Sequence, residues 1–210
     1  MAYKHEIQEK LLDPIIASAA FDGWTMQMML QEAKQLEISP AAVRLAFPRG
    51  GMDAFLLWMQ RDNTRVEASL LPNLADEPSM TVRVKQLTRA RLMMLAEQPE
   101  AFRRGLAVMS VPGRHGELLG IYREMANFIW LAAGDRSTDM SYHTKRMLLG
   151  YILKTTSLRL SSQPDGDWQE FMERRFSEVM RVGKLASRIP DPVKPLDELL
   201  HWLRRIPQSR

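Results

Sequence analysis

The sequence offers few residues whose type and spacing suit catalysis or metal binding. Its four histidines, at 5, 115, 143 and 201, fall in different predicted helices. Glu198 and His201 form one Glu-x-x-His unit, whereas a di-iron bundle uses two such units and further glutamates. The chain has no cysteine, which excludes disulfides, thiolate zinc sites and a cysteine nucleophile. We therefore expect no metal site and no enzymatic activity.

Two carboxylates, Asp135 and Asp139, lie in a short polar stretch that follows an apolar segment. A carboxylate pair can serve acid–base chemistry, but no nucleophile, base or metal ligand accompanies this pair in the sequence. Gly134 can end a helix in the left-handed conformation, and the polar side chains after it can bond free backbone donors at the next helix start. The stretch is therefore predicted to be a capped turn between two helices.

The elements around this turn are all predicted to be helices. Apolar residues recur at three-and-four spacing along the chain, and no stretch alternates as a strand would. Thr25 is a predicted N-cap, as is Ser39, which precedes a proline suited to the first helical position. The fold class is thus all-α, with about ten helices. Their predicted ranges are 4–20, 25–37, 40–47, 52–71, 80–97, 99–110, 115–132, 141–161, 167–187 and 195–206.

Three short helices followed by a longer one resemble the DNA-binding head of tetracycline-repressor-like proteins. The head is assigned to residues 1–71, with 40–47 in the place of the recognition helix. Residues 1–60 carry five basic and seven acidic side chains, and Arg44 is the only charged residue in 40–47. DNA binding relies on cations that neutralise phosphates, so we expect a degenerate head that binds no nucleic acid. Its predicted core is Phe21, Trp24, Leu30, Val43, Leu45, Phe47, Leu56 and Trp58.

A longer string of residues identifies a family. The segment 130–146, WLAAGDRSTDMSYHTKR, and the helices after it resemble the ninth coenzyme Q biosynthesis protein family, with FDGWT at 21–25 and AFPRG at 46–50 resembling its bacterial members. The resemblance spans roughly residues 5–187. The matching residues are Trp130, Ala133, Gly134, Asp135, Ser137, Thr138, Asp139, Tyr142, Thr144, Lys145, Arg146, Leu148, Thr155, Thr156, Phe171 and Arg174.

The resemblance implies a function. Members of that family are homodimers that bind isoprenoid quinone-like lipids and assist the di-iron hydroxylase of late ubiquinone biosynthesis. We therefore expect a bound lipid or isoprenoid quinone as ligand, no other cofactor, and a cytoplasmic protein peripherally associated with the inner membrane. The partner-binding surface implied for this chain comprises Ser110, Val111, Pro112, Trp130 and Leu131. The alternative is a lipophile-sensing transcriptional repressor of the same fold.

The lipid-binding domain is assigned to residues 80–187. Methionine is abundant in the chain, with 15 residues, and its flexible side chain suits a pocket for a long apolar tail. The same residue also fills gaps in ordinary cores, so both interpretations stay open. The predicted pocket residues are Leu92, Met93, Met109, Ile121, Met125, Phe128, Ile129, Met147, Leu148 and Tyr151.

A two-faced helix is predicted at 195–206, after a proline-rich linker. At 100° per residue its apolar side chains share one side. Such a helix can bind a membrane surface or pack on its own domain or on a dimer mate. The family resemblance implies that this helix binds a membrane surface. The predicted membrane-binding residues are Leu196, Leu199, Leu200, Trp202, Leu203 and Ile206.

Overall fold

The chain folds entirely into helices over the part that the structure describes. The computed structural model covers residues 2–74, 76–111, 115–138 and 140–186. These residues form nine helices and no strand, which confirms the all-α prediction. The predicted helix at 195–206 and its six membrane-binding residues lie outside the described residues. The helices are α1 (Ala2–Asp22), α2 (Met26–Gln35), α3 (Pro40–Ala46), α4 (Gly51–Leu74), α5 (Met80–Ala96), α6 (Pro99–Met109), α7 (His115–Ala132), α8 (Met140–Ser162) and α9 (Trp168–Ala186).

Two helix starts follow the capping rules used to predict them. Thr25 Oγ1 accepts a hydrogen bond from the backbone N–H of Met28 at 3.1 Å. Ser39 Oγ accepts one from the N–H of Ala42 at 3.3 Å. Each bond satisfies a donor that the first helical turn leaves without a partner. Both predicted N-caps are confirmed.

The chain divides into two compact units, residues Met1–Trp168 and Gln169–Arg210. In the first unit α1 packs on α2, α3, α4 and α6, and α7 and α8 form the most extensive helix pair. α5 contacts α4, α7 and α8. In the second unit, Arg174 and Arg175 pair with Glu170 and Glu178 along α9. The predicted division of the first unit into a head and a lipid-binding domain, and its tetracycline-repressor-like arrangement, stay predictions.

An aromatic cluster in the first unit joins α4 to the segment that precedes α2. Trp24 stacks on Trp58 with ring centroids 5.7 Å apart and meets the edge of Phe55 at 5.3 Å. The indole N–H of Trp24 donates to the carbonyl of Ala101 at 2.8 Å. A Cβ on Gly105 would lie 2.2 Å from the Phe55 ring, so glycine permits the close approach of α4 and α6.

Half of the predicted head core is buried, and two of its eight members are exposed. Trp24, Val43, Phe47 and Trp58 are buried, and Leu30 and Leu56 are half-buried. Phe21 is 80% exposed and Leu45 is 60% exposed, so placing them in the core was wrong. The reason is helical spacing, because Phe21 falls off the three-and-four stripe that α1 buries, and Leu45 off that of α3.

Candidate functional site

The turn after α7 ends that helix in the way its sequence predicts. Gly134 has a φ of 90°, the left-handed region that favours glycine. Its N–H donates to the carbonyl of Leu131 at 2.9 Å, and the N–H of Asp135 donates to that of Trp130 at 2.9 Å. These two bonds form a Schellman motif, which satisfies the last carbonyls of the helix. The predicted left-handed Gly134 is confirmed.

Asp135 is the centre of a network of side chains. Its carboxylate accepts hydrogen bonds from Ser137 Oγ at 2.8 and 2.9 Å, Lys145 Nζ at 2.8 Å and Arg146 Nη1 at 3.0 Å. Burial alone would raise the pKa of Asp135, but these hydrogen bonds outweigh it and lower the pKa to about 2. These described partners of Asp135 are side chains that the sequence did not predict, and its capping of the next helix through backbone donors stays a prediction. Asp139 lies outside the described residues.

Arg146 extends this network into the interior. Its guanidinium lies 3.5 Å from the ring centroid of Tyr142, a cation–π contact. Nε donates to Asn127 Oδ1 at 2.8 Å, and the Tyr142 hydroxyl donates to the same oxygen at 3.3 Å. The end of α7 and the start of α8 are therefore held together by ionic and aromatic contacts.

Trp130 is fixed by the same pair of helices. Its indole N–H donates to the carbonyl of Lys145 at 3.1 Å, and Lys145 Nζ lies 5.3 Å from the ring centroid. From α5, Arg83 Nε donates to the carbonyl of Ala133 at 2.9 Å. The neighbouring Leu131 is 56% exposed. Trp130 is thus half-buried and immobilised, while Leu131 faces outward.

The other predicted partner-binding residues lie at the end of α6. Ser110 is exposed, and its hydroxyl donates to the carbonyl of Leu106 at 2.7 Å. Val111 is 48% exposed. Pro112 lies outside the described residues. The described members of the predicted surface therefore come from the ends of two helices, and their joint role stays a prediction.

The predicted lipid-binding residues lie on α5, α6, α7 and α8. Five are buried: Leu92, Met109, Ile121, Met125 and Ile129. Four are half-buried: Phe128, Met147, Leu148 and Tyr151. Met93 departs from the expected interior position, because it is 47% exposed. Met93 follows Leu92 in α5, so its side chain points about 100° further round the helix. The role of the set in lipid binding stays a prediction.

A buried polar cluster that the sequence reasoning missed lies between α4 and α5. Arg91 of α5 is fully buried, and its Nε donates to Asn63 Oδ1 at 2.8 Å and its Nη2 to the carbonyl of Met59 at 3.1 Å. Its Nη1 lies 3.7 Å from Oδ2 of Asp62, a carboxylate that is 1% exposed. Desolvation lowers the pKa of Arg91 to about 10 and raises the pKa of Asp62. Because the pKa of Arg91 stays well above 7, its guanidinium is a cation at neutral pH.

Tyr122 and Ser157 complete the cluster. The Tyr122 hydroxyl lies 2.8 Å from Ser157 Oγ, and burial raises the pKa of Tyr122 to about 12. A signal for the cluster did exist in the sequence. Arg91 continues the three-and-four spacing of the buried positions of α5 and so falls on an apolar face. The buried positions of α5 are Val84, Leu87, Thr88, Arg91, Leu92 and Leu95.

Two further features bear on the expectations for metals and membranes. Among the described residues, no group of three or more His, Asp or Glu side chains is arranged to hold a metal ion. Over the same residues, no helix is both long and apolar enough to cross a membrane.

Comparison with known proteins addresses the resemblance read from the sequence. The COQ9 family model matches residues 118–183, from α7 into α9. The human protein named "Ubiquinone biosynthesis protein COQ9, mitochondrial" is 26% identical over 196 residues, which are 89% of this chain and 61% of that protein. The Xenopus tropicalis protein of the same name is 28% identical over 89% of this chain and 62% of its own length.

The similarity extends to an insect relative. The Drosophila melanogaster protein of that name is 26% identical over 87% of this chain and 58% of its own length. The chain thus spans about 60% of the length of these curated relatives. The predicted resemblance is confirmed: the chain matches the COQ9 family model over residues 118–183 and is similar to the COQ9 proteins over most of its length.

Proposed function

We propose that this chain acts in ubiquinone biosynthesis as a lipid-binding accessory protein. The observation that carries the proposal is its similarity to proteins named for ubiquinone biosynthesis over 89% of its length. In this proposal the chain catalyses no step itself. It binds an isoprenoid quinone intermediate and presents it to the membrane-associated di-iron hydroxylase of the pathway.

The arrangement of α5, α6, α7 and α8 supports lipid binding. These helices contact one another and contribute both buried and half-buried apolar side chains to the predicted pocket. Apolar linings with a few polar groups are typical of small-molecule sites. An isoprenoid tail is the proposed occupant, since it requires only apolar contact.

The turn after α7 supports the presentation step. Leu131 projects outward next to an anchored Trp130, and aromatic anchors held in place by their own fold are common at protein interfaces. We assign hydroxylase binding to this surface, together with Val111. Membrane association through residues 195–206, homodimer formation and a location at the inner membrane belong to the same proposal.

A vesicle experiment tests the lipid-binding part. The purified chain is mixed with phosphatidylcholine vesicles that contain geranylbenzene and is then separated from them. We expect the protein fraction to carry the probe, as measured by mass spectrometry of its organic extract. A protein fraction without probe would contradict lipid binding. Salt-sensitive binding to duplex DNA in a parallel assay would favour the repressor alternative.

A genetic experiment tests the pathway. Deletion of the gene from its source cells should lower ubiquinone content and increase the precursor that the hydroxylase consumes. Restoration by the wild-type chain and failure of restoration by Leu131→Glu, with both proteins present at equal levels, would support the presentation surface. Full restoration by Leu131→Glu would contradict it.

A further inference from the structure

The Arg91 cluster is buried but its hydrogen bonding is incomplete. Arg91 Nη1 and both carboxylate oxygens of Asp62 have no hydrogen-bond partner among the described residues. Asp62 Oδ2 lies 3.7 Å from Arg91 Nη1, and Asp62 Oδ1 lies 3.6 Å from Nη1 of the exposed Arg65; both distances exceed hydrogen-bond distance. A buried polar group without a partner destabilises the protein, and a charged group does so more. These atoms therefore favour any group that reaches them with matching chemistry.

The neighbouring hydroxyls have partners of their own. Ser157 Oγ lies 3.0 Å from the carbonyl of Lys154 and 2.8 Å from the Tyr122 hydroxyl, and either hydroxyl can be the donor in the second contact. The cluster retains a donor at Arg91 and acceptors at Asp62.

The cluster adjoins the helices of the proposed lipid site. Arg91 lies on α5 and Tyr122 on α7, and Asp62 lies on α4, which contacts both of these helices. On α8, the half-buried Leu148 lies two turns before Thr156, which is fully buried and whose Oγ1 also has no hydrogen-bond partner among the described residues. Buried polar groups beside helices that carry apolar side chains suit an amphiphile with a small polar head.

We propose that Arg91 and Asp62 form the polar end of the ligand site and bind the hydroxyl of a phenolic ring that carries an isoprenoid tail. This inference rests on the proposed lipid-binding function and deepens it. The ligand hydroxyl donates a hydrogen bond to Asp62, and its oxygen accepts a hydrogen bond from Arg91 Nη1. The apolar residues of α7 and α8 contact the tail.

The chemistry of the pair excludes other head groups. A quinone carbonyl or an ether only accepts hydrogen bonds, so it satisfies Arg91 and leaves Asp62 without a donor. The reduced form of an isoprenoid quinone intermediate, whose ring carries hydroxyls, is therefore the form that fits this pair. A ligand carboxylate brings a second negative charge to a buried carboxylate, and an ammonium group meets the cation of Arg91. A neutral hydroxyl accepts a hydrogen bond from Arg91 and donates one to Asp62. A phenol is a stronger hydrogen-bond donor than an aliphatic alcohol.

A competition experiment with two matched probes tests this inference. Phosphatidylcholine vesicles carry equal amounts of geranylphenol and its methyl ether, which differ in the one hydrogen that Asp62 accepts. After separation, we expect the wild-type chain to hold the phenol in roughly tenfold or greater excess over the ether, relative to the vesicles. Asp62→Asn should abolish this excess while ether extraction persists.

Two other variants keep the test decisive. The double variant Asp62→Leu/Arg91→Met replaces the buried pair with apolar side chains of similar volume, which is often neutral for stability. It removes the acceptor oxygens, so it too should lose the excess and serves if Asp62→Asn fails to fold. Thr88→Val is the matched control, because the Thr88 hydroxyl is fully buried and already bonded to the carbonyl of Val84 at 2.7 Å. This control should keep the excess.

The possible outcomes separate the inference from the function on which it rests. If the wild-type chain extracts both probes without preference, the inference is overturned and lipid binding stands. If it extracts neither probe, the proposed function fails together with the inference. An excess that survives Asp62→Asn and the double variant Asp62→Leu/Arg91→Met would overturn the assignment to this cluster and leave it with a bound water only.

Discussion

Two buried carboxylates in the first unit have opposite surroundings. Asp135 accepts hydrogen bonds from Ser137, Lys145 and Arg146, and these bonds hold its pKa near 2. Asp62 faces the buried guanidinium of Arg91 at 3.7 Å and the exposed guanidinium of Arg65 at 3.6 Å, both beyond hydrogen-bond distance. Desolvation raises its pKa. Both are almost completely buried.

The difference separates a structural network from a candidate binding site. A carboxylate with all its bonds made within the fold stabilises a fixed arrangement, here the turn that positions Trp130 and Leu131. A carboxylate with unused acceptors lowers stability unless another group supplies the donors. The family motif thus contains the satisfied carboxylate, and the unsatisfied one lies on α4, outside it.

The largest expected effect is that of Asp135→Ala. The substitution leaves the nearly buried Arg146 without its carboxylate and Lys145 without a partner at 2.8 Å. Loss of one partner of a buried ion pair typically costs about 3–5 kcal/mol. Urea unfolding at neutral pH should show a loss of this size.

The control for that substitution is Glu100→Ala. Glu100 also binds two arginines, Arg103 and Arg104, but on the surface, where ion pairs contribute little. The urea unfolding midpoint of Glu100→Ala should stay near that of the wild type. Comparable losses in the two variants would show that burial is not what distinguishes Asp135.

A smaller effect is expected from acid. Because the pKa of Asp135 falls from 3.8 to about 2 on folding, its contribution of about 2 kcal/mol is present above pH 4 and is lost as the pH falls toward 2. The stability difference between the wild type and Asp135→Asn should therefore shrink over that range in urea titrations.

The same measurement on Asp62→Asn should show the opposite trend. The pKa of Asp62 is raised on folding, so the folded state takes up a proton before the unfolded state does as the pH falls. The wild type should gain stability relative to Asp62→Asn as the pH falls from the raised pKa of Asp62 toward its unfolded value of 3.8, and not below it. If the stability differences between the wild type and each of the two variants changed with pH in the same direction, the contrast between the two carboxylates would be wrong.

The smallest effect is that of Thr156→Val. This hydroxyl is buried without a partner among the described residues, so its replacement by a methyl group should leave stability unchanged or raise it by up to about 1 kcal/mol. Thr88→Val, which breaks a bond within α5, should lower stability by about 1 kcal/mol. Thermal unfolding distinguishes the two, and equal losses would mean that Thr156 has a partner.

Local patterns predicted the helices well. Three-and-four spacing located the nine described helices, and the side chains of Thr25 and Ser39 predicted two starts correctly. The exceptions, Phe21 and Leu45, are apolar residues off the buried stripe of their helices. Apolar character alone did not decide burial, because a helix buries one face only.

The candidate site was less predictable. Gly134 was correctly predicted because its conformation depends on the glycine itself. The partners of Asp135 were not, since Lys145 and Arg146 reach it from the second turn of the next helix. Arg91 was missed because a charged residue on an apolar face acquires meaning only once its neighbours are known.

The sequence by itself determined the all-α fold class, the helix bounds, the turn at Gly134 and the similarity to COQ9 proteins. These depend on neighbouring residues or on the residue string itself. Only the tertiary structure decided that Asp62 of α4 faces Arg91 of α5 and that Tyr122 reaches Ser157. These pairs are separated by at least 29 residues, so they meet only through the rotation and packing of whole helices, which no local pattern encodes.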